Sequence, residues 1–437
     1  MVSMIELYDY QKDHADRLEK ALLSYGVVKD SSDTGTGKTY TACAVADRLA
    51  YTRVVVVCPK AVIPAWQKAF ALTRYDEKEV FVVNYEKLKT GNHALLIRKN
   101  KKFRWNTPRT TLIIFDEDHK LAGRLTLNAR LLYQARTQRY DCMLLGATSF
   151  ATPLQMDAIG FALGLHKGYR NFTAWLEHVG CYKDIWGAWQ PPKNLEEVLQ
   201  KIHNYIYPNR GARMLVDDIP NFPENNIIVD SYSVPDPSAV AKLYGEIEEK
   251  LTKLKQTMAT DGDSALTEML RQRQQIELAK VPSIYDLARS DYASGKRVAI
   301  FVNFRDTQVV LRDKLKRYIP FIAEIHGDQT VEERQRAIDL FQSNDHPVVI
   351  CTISSGGVGI SLHDEDGKYP RSSIICPSFS AVDFRQALGR IHRANSKSKS
   401  VQRIVFASDT IEEKIASKLR KKLKNIDTIN DTDLTPF

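Results

Sequence analysis

Short runs of β-branched and apolar residues recur along this chain, each separated from the next by a helical stretch. Residues 54–58, 80–83, 111–115 and 143–145 form one set, and 298–302, 323–325, 348–351, 373–376 and 401–406 form a second. The runs are apolar at nearly every position instead of alternating. Strands of that kind are buried on both faces, which is the signature of a parallel sheet covered by helices. Helical stretches such as 39–50 and 125–137 supply the cover. The expected fold class is therefore α/β, with two separate parallel-sheet lobes, and 437 residues are enough for both.

The region between the two sets differs. Residues 151–222 mix helical patterns with Trp175, Trp186 and Trp189, followed by a Pro-rich stretch around Pro191-Pro192. Pro220, Pro223, Pro235 and Pro237 break helix and predict an extended crossing. Residues 238–280 read as two polar helices separated by Thr260-Asp-Gly-Asp263. The expected boundaries are lobe 1 at 1–150, a helical extension at 151–222, a linker and helical insertion at 223–290, and lobe 2 at 291–437. Six scattered cysteines, three of them ending aliphatic runs, read as buried free thiols. No apolar run approaches the roughly 18–20 residues of a membrane span. Met1-Val-Ser-Met-Ile-Glu-Leu7 lacks the charged start and apolar core of a secretory signal, so the expectation is a cytoplasmic chain.

Asp33-Thr-Gly-Thr-Gly-Lys-Thr39 precedes a helix. Glycines at Gly35 and Gly37 let backbone N–H groups of Thr34, Thr36 and their neighbours approach a phosphate chain, and a helix N-terminus adds positive potential. Lys38 can reach the outer phosphates, Thr39 can ligate Mg²⁺, and Tyr40 follows in the first helical turn. Ser32 stands where the full P-loop pattern has a further glycine.

Ile113-Ile-Phe-Asp-Glu-Asp-His119 brings acids to the end of a buried strand. Beside a P-loop, Asp116 would hold Mg²⁺ and Glu117 would orient and deprotonate an attacking water. Gln386-Ala-Leu-Gly-Arg-Ile-His-Arg393 carries Arg390 and Arg393 three apart, the spacing of one helical face. Arginines aimed at a γ-phosphate are worth about 10³–10⁵ in rate.

The order of these segments resembles the superfamily 2 helicases and translocases, which have two RecA-like lobes with an ATP cleft between them. Tyr10-Gln11, Cys58-Pro-Lys60 with Trp66, Asn84-Tyr-Glu86, Asp116-Glu-Asp-His-Lys-Leu121, Gly146-Ala-Thr148, Arg210, Arg213 and Asp218-Ile-Pro220 narrow the resemblance to the Swi/Snf-like branch. His326-Gly327, Glu333-Arg334, Phe341 and Ser354-Ser-Gly-Gly-Val-Gly359 extend it across nearly the whole chain. The resemblance implies that Gln11 reads adenine with Tyr8 or Tyr10 nearby. It implies that Gln386, Arg390 and Arg393 complete the ATP site, that Gly357 and Gly359 approach the nucleotide, and that His119 and Thr148 couple ATP state to strand grip. Lys60, Asn303, Phe304, Arg305, His326 and Thr352 would contact the DNA backbone. Leu145-Gly-Ala-Thr-Ser-Phe-Ala-Thr-Pro153 departs from the compact Thr-Gly-Thr-Pro usual in the branch, which concerns the coupling residues.

Short middle helices and the absence of a chromatin-reading appendage point away from nucleosome remodelling and toward compact fork-remodelling or branch-migration motors of the bacteriophage type. The implied partners are ATP, Mg²⁺, and forked, branched or duplex DNA bound without sequence preference, with replication, recombination or repair proteins beside a monomeric motor. The rival readings are a duplex DNA translocase that never separates strands, an RNA helicase, and a non-hydrolysing ATP-gated switch.

The net charge of +9 is not diffuse. Residues 385–424 carry +9 and residues 98–109 carry +6, which leaves −6 for the rest. The second segment, Arg98-Lys-Asn-Lys-Lys-Phe-Arg-Trp-Asn-Thr-Pro-Arg109, interleaves two rings with its cations. Lys99, Lys101, Lys102 and Arg104 could grip phosphates while Phe103 and Trp105 stack on bases, so a DNA-contacting loop or hairpin is expected here.

Overall fold

The structure is a computed structural model that describes residues 6–73, 78–89, 92–99, 102–122, 126–147, 150, 152–185, 187–256, 262–356, 360–422 and 434. The chain forms two compact units, 1–220 and 221–437.

In the first unit the central strands are β1 (Val27–Asp30), β2 (Arg53–Cys58), β3 (Glu79–Asn84), β7 (Thr111–Asp116) and β8 (Asp141–Leu145). Three short strands, β4 (Asn92–His93), β5 (Leu96–Lys99) and β6 (Lys102–Trp105), form a separate antiparallel sheet. Strands β9 (Tyr182–Lys183) and β10 (Trp189–Gln190) pair antiparallel, and β11 (Gly211–Ala212) ends the set. The main sheet runs β11-β1-β8-β7-β2-β3, and every pairing is parallel. Val54 to Cys58 and Leu112 to Phe115 have no exposed surface, as strands covered on both faces require.

The register matters for the site. Asp30 of β1 and Asp116 of β7 both stand opposite Leu145 of β8, so the three strands end in one row. Parallel sheets bind ligands beyond the carboxyl ends of their strands. Helix α1 (Asp9–Tyr25) covers β1, and α2 (Lys38–Arg48) follows directly from Gly37.

The second unit repeats the plan. Its strands are β12 (Asn225–Tyr232), β13 (Arg297–Val302), β14 (Ile322–Ile325), β15 (Val348–Thr352), β16 (Arg371–Ile375) and β17 (Ser400–Ala407). They pair in the order β12-β17-β16-β13-β15-β14, again all parallel. The stretch expected as an extended crossing contains β12, which pairs along its whole length with β17. The two polar helices expected after it are Pro237–Gln256 and Gly262–Ala279.

All six cysteines are buried free thiols. Among the described residues, no helix is long and apolar enough to cross a membrane.

Candidate nucleotide site

The P-loop leaves β1 through Ser31 and Ser32 and enters α2 at Lys38. Gly35 and Gly37 sit at φ +87° and +94°, a region that favours glycine. Gly37 has a second constraint, because a Cβ there would collide with the Gln11 side-chain amide. That amide is buried and donates from Nε2 to the Thr36 carbonyl at 2.8 Å, while its Oε1 accepts from Tyr8 N at 3.1 Å. Tyr8 and Tyr10 stack beside it with ring centroids 5.7 Å apart. The Thr36 hydroxyl donates to Asp33 O at 2.9 Å. Thr34 and Thr39 are partly exposed and Tyr40 is exposed at the start of α2.

Lys38 Nζ donates to the carbonyls of Ser32, at 2.7 Å, and Asp33, at 3.0 Å. Burial holds its ammonium below the usual lysine range, against the pull of Asp30, Glu117, Asp116 and Asp33. A partly exposed cation under the pull of several carboxylates, at a loop of backbone donors, suits a polyphosphate ligand.

The acids sit where the sequence places them. Asp116 ends β7 and is pinned on three atoms. Its Oδ2 accepts from Trp66 Nε1 at 2.8 Å, its Oδ1 from Glu117 N at 2.9 Å, and its carbonyl from the Tyr85 hydroxyl at 2.9 Å. Burial, with Glu117 adjacent, pushes the Asp116 carboxyl up to about 6, although the Trp66 bond and Lys38 pull the other way. Glu117 adopts φ +54°, ψ +58°, a left-handed conformation costly for a side chain with a Cβ. His119 Nδ1 lies 3.3 Å from Glu117 Oε2.

Sequence reasoning missed the supports beneath the loop. Asp30 is fully buried, and its Oδ1 accepts from Ser32 N at 2.9 Å and faces His14 Nε2 at 3.2 Å. Burial alone would raise that carboxyl, yet His14, Lys38 and the Ser32 hydroxyl hold it below the usual carboxylate range. Met214 N donates to Ser32 Oγ and Val216 N to Asp33 Oδ2, both at 2.9 Å, and Arg213 lies 3.4 Å from Asp33 Oδ1. The segment around Arg213 therefore braces the P-loop. Lys29 and Asp118 form a buried ion pair. The available signal was the pair of charges closing an otherwise apolar strand, Val27-Val-Lys-Asp30.

In the second unit Gln386 is buried in the helix Ala381–Leu388. That helix ends before Arg390, which corrects the expectation of one helical face for Arg390 and Arg393. The two arginines converge instead on one acceptor. Arg390 Nη1 and Arg393 Nη2 donate to the Ile360 carbonyl at 3.1 and 3.0 Å. Gly357 and Gly359, just before it, lie outside the described residues, as do Thr148 and Lys101.

The expected nucleic-acid contacts fare unevenly. Residues 96–99 and 102–105 pair as antiparallel strands, β5 with β6. However, Phe103 and Trp105 are each only 2 % exposed. Trp105 Nε1 donates to Leu131 O at 3.0 Å and its ring meets Phe115 edge-on. Rings used as core cannot stack on a base, so that expectation is corrected. The strand alternation points Phe103 and Trp105 inward and leaves Arg104 exposed between them. Lys99 and Lys102 are partners in the β5–β6 pairing.

Asn303 is partly exposed, and its Nδ2 donates to the buried Glu277 Oε2 at 2.6 Å and to the Cys376 carbonyl at 3.3 Å. Phe304 N also donates to Glu277, at 3.1 Å. Arg305 pairs with Glu324 at 2.9 Å, His326 is partly buried, Thr352 is buried at the end of β15, and Lys60 is exposed after β2.

Residues 4–153 match the model of the type III restriction enzyme res subunit, and residues 279–395 match the helicase conserved C-terminal domain. Over 98 % of its length the chain is 34 % identical to a putative ATP-dependent RNA helicase of Acanthamoeba polyphaga mimivirus, 84 % of which is covered. The chain belongs to the superfamily 2 helicases. Within this superfamily it is also similar to a Swi/Snf-related member. It is 25 % identical, over 92 % of its length, to a SWI/SNF-related matrix-associated actin-dependent regulator of chromatin subfamily A-like protein 1 of Drosophila melanogaster, and spans 53 % of that protein. The structure of S. cerevisiae Dbp5 bound to RNA and ADP BeF3 shares the fold, with a TM-score of 0.52 at 14 % identity, covering 95 % of this chain and 87 % of that one. This superfamily 2 chain is accordingly an ATP-hydrolysing, ATP-dependent helicase or translocase.

Proposed function

We propose that this helicase is a DNA motor that uses ATP hydrolysis to move on DNA and to unwind or branch-migrate forked and branched substrates. The observation that carries the ATP half is the row of strand ends that sets Lys38 among the carboxylates of Asp116 and Glu117. The DNA half rests on similarity to the Swi/Snf-related protein along nearly the whole chain. Replication, recombination and repair are the settings such an activity serves.

In this reading Gln11 holds the P-loop at Thr36 and meets the adenine. Lys38 and the amides of Thr34 to Thr39 hold the phosphates. The Thr39 hydroxyl and the Asp116 carboxylate would hold Mg²⁺, and a buried carboxyl raised to about 6 fits that duty, since a bound cation favours its charged form. When bound, Mg²⁺ supplies charge neutralisation on the phosphates. Glu117 takes the proton of a water whose oxygen attacks the γ-phosphorus. The bond to the β–γ bridging oxygen breaks, and ADP and phosphate leave. His119, beside Glu117, is placed to accept a hydrogen bond or proton from it. The family resemblance carries Arg390 and Arg393 as the groups that would neutralise charge developing on the γ-phosphate. Lys60, Arg305, His326 and the exposed Arg104 are the candidate backbone contacts, which would position the strand without reading sequence.

A second reading, an RNA helicase, is favoured by the name of the mimivirus relative. ATPase stimulation by duplex DNA, single-stranded DNA and RNA separates the two, with strand displacement assayed on forks and four-way junctions. Stimulation by RNA alone rejects the DNA reading. DNA-stimulated ATPase without strand displacement leaves a duplex translocase.

A further inference from the structure

Lys29 and Asp118 are each at most 1 % exposed, and they pair with each other. Burying two charges costs more than burying two apolar side chains of the same size, so such a pair adds little or nothing to stability. Its position suggests another use. Lys29 lies one residue before Asp30, whose carboxylate organises the root of the P-loop. Asp118 lies one residue after Glu117. The Asp118 carboxylate also fills the space above Gly146, where a Cβ would collide with it, and Gly146 N donates to the Asp30 carbonyl at 3.0 Å. Three loops at the ends of neighbouring strands therefore meet at one ion pair.

The turn they share is strained. Glu117 holds a left-handed backbone at φ +54°. Such a conformation persists only where its surroundings over-determine it. On the upstream side Asp116 is fixed by Trp66 and Tyr85. On the downstream side, Lys29 is the charged partner that fixes Asp118.

We propose that Lys29 is a positioning residue for ATP hydrolysis: by holding Asp118 it fixes the turn that presents Glu117 and His119, and seats that turn against Gly146. The proposal rests on the reading of Glu117 as the water-activating group.

The test separates positioning from stability. Either single change strands a buried charge and can fail to fold, so D118N, nearly isosteric, is paired with K29M/D118N, which removes both charges. Each is first checked for folding by thermal unfolding. The expected result is a folded protein with KM for ATP within about threefold of wild type and kcat lower by about 10–100-fold, the loss that follows a small misplacement of a catalytic group. A role confined to satisfying buried charge predicts otherwise: a folded K29M/D118N protein with wild-type kcat overturns the proposal. So does a folded D118N protein whose only change is a higher KM. Absence of ATPase in the wild-type protein would instead sink the underlying reading of the site.

Discussion

Trp66 Nε1 donates to Asp116 Oδ2 at 2.8 Å from an indole with no exposed surface. The ring packs against Phe70 at a centroid distance of 5.7 Å, so it has little freedom to turn away. A residue on the helix after β2 thus sets the orientation of the acid that ends β7. The bond also holds the Asp116 carboxyl down against the burial that raises it.

Trp66→Phe should therefore move the acid limb of the pH–rate profile to higher pH, because the largest downward influence on Asp116 is removed while burial and Glu117 still push it up. Loss of a hydrogen bond to a charged group costs about 1.5–3 kcal/mol, and the variant should need more Mg²⁺ for half-maximal rate. A kcat/KM–pH profile at subsaturating Mg²⁺ with an unmoved acid limb would contradict this role.

The raised carboxyl has a second consequence. In the metal-free protein Asp116 keeps its proton up to about pH 6, above the ordinary aspartate value. Its contribution to stability is full below the unfolded value and is lost as pH rises through about 6. Binding of Mg²⁺ to the carboxylate must then expel a proton at lower pH. Calorimetry in buffers of different ionisation enthalpy should show proton release near pH 5.5–6 and almost none at pH 8 (roughly half to three-quarters of a proton against none).

Gly37→Ala should cripple nucleotide binding. The left-handed backbone costs a residue with a Cβ about 1–2 kcal/mol, and the Gln11 amide must leave the Thr36 carbonyl. The KM for ATP should rise about tenfold or more. Gln11→Ala, which removes the same bond without strain, should raise it less, and equilibrium binding of a labelled nucleotide checks both.

Phe103→Ala or Trp105→Ala should behave as core lesions, each costing about 3–5 kcal/mol, with nucleic-acid affinity unchanged in whatever fraction stays folded. Arg104→Ala should leave the melting temperature unaltered. Chemical denaturation alongside binding titrations distinguishes the two classes.

Sequence patterning carried the architecture because buried parallel strands must be apolar throughout, and runs such as 54–58 and 348–351 have little else to become. The P-loop and the acids were equally legible, since glycines and strand-terminal carboxylates occupy positions fixed along the chain. The basic stretch at 98–109 was misread in part because charge marks an outward face, whereas period-two alternation decides which rings face inward, and Phe103 and Trp105 share the buried parity. The hydrogen bond of Asn303 to Glu277 was not legible because its partner comes from a helix 26 residues away. Arg390 and Arg393 meet through the Ile360 carbonyl and not through helical spacing, a contact that no local pattern encodes.

The central claim is that Glu117 activates water in an ATP site built on the P-loop strand. Its most direct test is steady-state phosphate release, with and without forked DNA, by the wild-type protein and by Glu117→Gln. The account predicts DNA-stimulated release in the wild type and a loss of about 10²–10⁴-fold in the variant, with nucleotide binding preserved. Phosphate release by Glu117→Gln at the wild-type rate would contradict it.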